Sequence, residues 1–157
     1  MSLKQNKIIV ILFAVALAFT SCNRRTIFSH YEHTPTSGWE ANDSLTFSLS
    51  PVRHDGLYEE TVGLRISSAY PFMGLTLVVD QKVIPSGIRH LDTIHAHLIN
   101  RDGTIQGHGI SYFQYEFQLR RLQLNANDSL HFCIRHNMKR EILPGVSDVG
   151  ITIRSVK

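Results

Sequence analysis

Apolar residues follow two rhythms along this chain. The first is an unbroken run of twelve, Ile8 to Phe19, preceded by Lys4 and Lys7 and closed by Thr20-Ser21-Cys22. A helix that crosses a bilayer takes about 20 apolar residues, so this run is too short for a permanent span. A positive start, a short apolar stretch and a small residue before a cysteine make a secretory signal of the lipoprotein type. Residues 1–21 are expected to be removed. Cys22 then becomes the lipid attachment site, with a diacylglyceryl group on its thiol and a further, palmitate-type acyl chain on its new amine. Phe19 stands where leucine is more usual.

The second rhythm has period 2 and points to strands. Leu45, Phe47 and Leu49 alternate with Thr46 and Ser48, and Val62, Leu64 and Ile66 with Gly63 and Arg65. Ile94, Ala96 and Leu98 repeat the pattern, as do Phe113 to Leu119, Leu130 to Ile134 and Val149 to Ile153. Leu75-Thr76-Leu77-Val78-Val79 is a continuous β-prone run that suits a strand buried on both faces. Turn signals separate these stretches, among them Ser50-Pro51, His54-Asp55-Gly56, Pro85-Ser86-Gly87, Arg101-Asp102-Gly103 and Pro144-Gly145. A short helix is expected near Leu119–Leu124, and no other stretch after Cys22 has a helical stripe. The fold class is all-β: a single two-sheet antiparallel β-sandwich of about seven or eight strands. Strand counting leaves jelly-roll and immunoglobulin-like orders both open. The expected organisation is a signal at 1–21, a lipidated tether and lead-in at 22–38, and the sandwich domain at 39–157.

Removing the signal takes away two lysines and no acid, which leaves 14 Lys plus Arg against 13 Asp plus Glu. A nearly neutral domain without a basic cluster carries no electrostatic footprint for nucleic acid. Cys22 and Cys133 are the two cysteines. With Cys22 lipidated, Cys133 has no partner for an intramolecular disulfide and reads as a small buried hydrophobe inside a strand. Asn23-Arg24-Arg25 after the anchor is basic. Surface-exported lipoproteins of Bacteroidetes-type cells tend to be acidic there, so the periplasmic face is expected.

Candidate chemistry is sparse. Nine histidines invite a metal, with His95 and His97 on one strand face and His90 upstream. There is no HExxH and no paired Cys/His spacing, and such histidines also suit the polar side of an amphipathic strand, so no metal site is expected. Carboxylates are present, but nothing in the spacing brings two into one cleft. There is no G-x-S-x-G element and no phosphate loop. No catalytic residue and no cofactor is expected. Trp39, Tyr58, Tyr70, Phe72, Tyr112 and Phe113 lie near strand ends, where aromatic faces bind sugars or partners, or else pack the core. Asp43-Ser44-Leu45, Asp92-Thr93-Ile94 and Asp128-Ser129-Leu130 fit the O-glycosylation pattern of Bacteroidetes-type cells, with Ser44, Thr93 and Ser129 as acceptors. Ala41–Phe47 is nearly repeated by Ala126–Phe132, which shared turn chemistry explains.

Three stretches carry a family resemblance. They are Asp92 to Leu98 with Asp102-Gly103 and Gly107-His108-Gly109-Ile110, the loop Tyr70-Pro71-Phe72, and the closing run His136 to Ile151. With the lipoprotein signal, these resemble the gliding motility lipoprotein GldH family. The resemblance implies envelope machinery for gliding and the linked secretion system, and it carries no catalytic set or cofactor. Within the closing run, Ile142, Leu143, Pro144, Gly145, Val146, Ser147 and Asp148 form a loop that is either structural or a partner-docking surface.

The expected protein is therefore a non-enzymatic lipoprotein of the cell envelope, held by lipid in the outer membrane and facing the periplasm. It acts as an accessory or structural component with an envelope protein partner. The alternative is a lipid-anchored carbohydrate- or ligand-binding sandwich module.

Overall fold

In a strand, side chains alternate between faces, so a period-2 sequence places its apolar half on one side for burial. In the computed structural model, which describes residues 25–156, the strands are β1 (Thr26–His33), β2 (Trp39–Glu40), β3 (Leu45–Leu49), β4 (Gly56–Ser67) and β5 (Gly74–Ile84). They continue as β6 (Arg89–His97), β7 (Tyr112–Leu124), β8 (Ser129–His136), β9 (Ile142–Leu143) and β10 (Val146–Val156). One sheet runs β1-β10-β4-β7, the other β3-β8-β5-β6, and β2 pairs with β9 at one end. All pairings are antiparallel. The first and last long strands are neighbours, and apart from the β5–β6 hairpin the successive long strands alternate between sheets, in jelly-roll order. This order, not the immunoglobulin-like one, is the arrangement of the sandwich.

The core lies between the sheets. Val62, Leu64, Ile151 and Ile153 come from the first sheet and Leu77, Val79, Phe132 and Ile134 from the second, all fully buried. Each such side chain contributes roughly 1.5–3 kcal/mol over leaving it in water. The near-repeat has a packing outcome: Phe47 and Phe132 are direct partners across β3 and β8, and both are buried.

Three local expectations are corrected. The helix at Leu119–Leu124 is absent, because β7 runs straight through Leu124. A bulge there sets Glu60 opposite Arg120 and Thr61 opposite Gln118, so Leu119 is the extra residue and inward parity moves from odd to even positions. That shift gives Leu119, Leu122 and Leu124 their irregular spacing. Cys133 is half-buried on the outward side of β8, opposite Thr46 and Asp80, and is not a core residue. Part of the lead-in, Thr26–His33, is a sheet strand paired with β10, in one register from Phe28–Ile153 to His33–Asp148 and shifted by a bulge before the Thr26–Arg154 pair.

Candidate functional site

The topology sorts the loops into two ends. The start of β1, the β3–β4 connection, the β5–β6 and β7–β8 turns and the end of β10 share one end. Contacts tie it together. Ile27 lines a groove with Leu49 to His54 and Tyr58, the amide of Val52 donates to Asp128 O at 2.8 Å, and Ile84 pairs with Ser129. Cys22 lies outside the described residues, but the chain enters the domain at this end. The opposite end carries the Tyr70 loop, the long β6–β7 connection and the closing segment.

That opposite end is built around a buried turn. Leu143, Val146 and Asp148 are buried, Pro144, Gly145 and Ser147 are half-buried, and only Ile142 of the seven is exposed. Gly145 has φ +82°, and its carbonyl accepts the Ser67 amide at 2.8 Å. A Cβ on Gly145 would sit 2.5 Å from the Tyr70 nitrogen, so the turn and the Tyr70 loop fit only with glycine there. Tyr70 is buried, donates to Gly74 O at 2.9 Å and meets Phe72 edge-on. Burial raises its phenol pKa. Trp39 is fully buried, pairs with Leu143, and donates from Nε1 to Asp43 O at 3.0 Å. His136 packs edge-on against Trp39 and bonds its carbonyl through Nε2 at 3.1 Å, and burial pulls its pKa down. Two of the segments noted in the sequence, the Tyr70 loop and the closing run, are thus one packed unit.

Around this unit, apolar side chains reach solvent. Ile110 is 93% exposed and Tyr112 57%, with Met73, Ile105 and Ile142 also open. Beside them an open cleft of about 490 Å³ is lined by His97, Gln106, His108, Gln114, Glu116 and Phe117 among others. Of the six aromatics named above, Tyr112 alone is exposed. Trp39, Tyr58 and Tyr70 belong to the core, and Phe72 and Phe113 are half-buried.

The remaining candidates lie apart. Ser44 is exposed in the turn before β3, Thr93 is exposed on the outward face of β6, and Ser129 is half-buried at the start of β8. His95 and His97 share the outward face of β6, while His30 bonds Glu32 and His131 bonds Ser48. Among the described residues, no three of His, Cys, Asp or Glu converge as a metal site would require.

One polar cluster escaped sequence reasoning. Glu60 of β4 and Gln81 of β5 are fully buried between the sheets, with Gln81 Nε2 donating to Glu60 Oε1 at 2.6 Å. Burial raises the Glu60 carboxyl to about 7 against the lowering effects of Gln81 and Arg120. Arg120 itself pairs with Asp92 at 2.5 Å, closing the cluster towards β6 and β7. Glu60 keeps the inward parity of Tyr58, Val62 and Leu64, which was the available signal.

The gliding motility lipoprotein GldH of Flavobacterium johnsoniae is 29% identical over 150 residues, covering 91% of this chain and 93% of that one. Among solved structures, a family GH115 4-O-methyl-α-glucuronidase is similar at TM-score 0.49 and 13% identity, over 87% of this chain and 18% of that chain. A family 35 carbohydrate binding module from Clostridium thermocellum is similar at TM-score 0.41 and 11% identity, over 88% and 96%. The family model described as GldH lipoprotein matches residues 26–153, from the first strand almost to the end of the last. Since that match takes in nearly the whole sandwich, this chain belongs to the GldH lipoprotein family.

Proposed function

We propose that this lipoprotein is a non-enzymatic accessory component of the envelope machinery for gliding and its linked secretion. Cleavage of the signal at residue 21 leaves Cys22 as the lipidated first residue. Several acyl chains at roughly 0.8 kcal/mol per buried methylene hold the protein in the outer membrane, where it faces the periplasm. The end bearing Ile110, Tyr112 and Ile142 points away from the bilayer and takes the partner protein. The family match across residues 26–153 carries this reading, because it covers the whole domain and not one motif. Exposed apolar side chains at that end are the kind of surface that partners bury.

Deleting the gene and returning it on a plasmid tests the role. Secretion of exported envelope proteins should fall on deletion and return with the intact chain. Unchanged secretion and surface spreading after deletion would refute it.

The ligand-binding alternative rests on the open cleft lined by His97, Gln106, His108, Gln114, Glu116 and Phe117, which offers amide, imidazole and carboxylate groups. A glycan array probed with the native protein decides it: a saturable hit lost in Glu116→Ala supports it, and a blank array removes it.

A further inference from the structure

The anchored end has its own unpartnered surface. On the β5–β6 hairpin, Ile84, Ile88 and Leu91 are 44%, 54% and 69% exposed. Ile88 sits in the corner of the turn, its carbonyl held by the Val83 amide at 2.8 Å, so the side chain is presented by a hydrogen-bonded tip. Both charge signs stand at this end. Asp80 is paired with Arg89, while Asp55 Oδ1 accepts from the Ala126 amide and Asp128 Oδ2 from the Asn125 amide. Arg25, Arg53 and Lys82 are exposed and enter no ion pair among the described residues.

The tether fixes what this surface meets. From Cys22 to Arg25 the chain can extend at most about 11 Å. A four-strand sheet is about 15 Å across and the two sheets lie about 10 Å apart, so the hairpin tip and the start of β1, at the same end of the sandwich but on different sheets, are about 18 Å apart. A domain held that closely by acyl chains at Cys22 presents this end to the bilayer. Exposed apolar side chains on a turn, with the unpaired Lys82 on the same hairpin, match the acyl and phosphate layers of an anionic membrane surface.

We propose that the β5–β6 hairpin tip, through Ile84, Ile88 and Leu91, enters the interface of the bilayer that carries the anchor and orients the sandwich upright on it. This rests on the lipidation of Cys22. The lipid clamps one corner of the domain and the hairpin the opposite corner, so the far end is aimed outward and not laid along the membrane.

The test uses the full lipidated protein in vesicles of phosphatidylethanolamine and phosphatidylglycerol with brominated acyl chains. Trp39, buried at the far end, gives a constant background. Ile88→Trp should lose emission to the brominated chains, while Ile110→Trp at the far end and the parent protein should not. Adding Lys82→Glu to Ile88→Trp should weaken the quenching. Equal emission from Ile88→Trp and Ile110→Trp, in protein whose N-terminal peptide carries lipid by mass, overturns the hairpin contact and leaves the anchor standing. An N-terminal peptide without lipid, in protein that fails to float with vesicles, overturns the anchor and the hairpin contact together.

Discussion

Tyr31 lies flat across Gly150, its direct partner on the neighbouring strand. The same row continues through Gly63 to Glu116, so two glycines leave a trough that the tyrosine ring fills. Arg65 covers the ring at 4.4 Å from its centroid. This packing pins β1, the edge strand by which the chain enters the sandwich.

A methyl group at residue 150 would meet the base of that ring, 2.6 Å from Cδ1. Gly150→Ala should destabilise the domain by about 1–3 kcal/mol through forced displacement of Tyr31. In a Tyr31→Ala background the same change should cost clearly less. Urea melts of the two single variants and the double variant measure that coupling. Equal cost in both backgrounds would contradict the packing.

The Glu60–Gln81 pair makes stability depend on pH. Glu60 Oε2 and Gln81 Oε1 both lack a partner among the described residues. With Glu60 charged, both atoms are acceptors, and protonating Glu60 turns one into a donor. Its carboxyl rises from 4.5 to about 7, so the folded state holds a proton that the unfolded state releases. The stabilisation is complete below the unfolded value and fades as pH rises through the folded one. Between pH 4.5 and 7 the loss amounts to about 3 kcal/mol. Glu60→Gln should remove most of this slope, which denaturant melts across that range would record. An unaltered slope would reject the buried acid as its source.

Two turn glycines with similar backbone angles should respond differently to alanine. Gly145 (φ +82°) is pressed against Tyr70, whereas Gly87 (φ +75°) has nothing within 4 Å of a built Cβ. Gly87→Ala should cost only the left-handed conformation, about 1–2 kcal/mol. Gly145→Ala adds displacement of the Tyr70 loop and should cost visibly more. Thermal melts of the pair are the check, and equal shifts would show that the close approach carries no weight.

Cys22→Ser should move the protein from the membrane fraction to the soluble fraction of broken cells, because no acyl chain is attached. Immunoblotting of the two fractions gives the answer. Retention in the membrane would mean that something other than lipid on Cys22 holds it.

The core strands were legible because their inward positions are apolar at strict period 2. β1 was not, because Phe28 is an isolated inward hydrophobe among Ser29, His30, Glu32 and His33 on an edge strand. The helix expected at Leu119–Leu124 came from a bulge that shifts parity, a feature that depends on the partner strand and not on the segment itself. The closing run was visible as a unit, but its split between buried Leu143, Val146 and Asp148 and exposed Ile142 depends on Tyr70 and Trp39, distant in sequence. Glu60 was one carboxylate among several with nothing in the spacing to single it out, although its parity matched Val62 and Leu64.

Capture of the partner in place tests the accessory role most directly. Native lipoprotein is crosslinked mildly in its membrane, purified by affinity, and its adducts identified by mass spectrometry. Substitutions belong on exposed far-end residues, Ile110→Ser with Tyr112→Ser, because changing buried Leu143 or Asp148 would damage the fold itself. The expected result is recovery of gliding or secretion machinery with the parent protein and its loss with the folded double variant. Recovery of no envelope protein by the parent, or undiminished capture by the double variant, would contradict a partner held at that end.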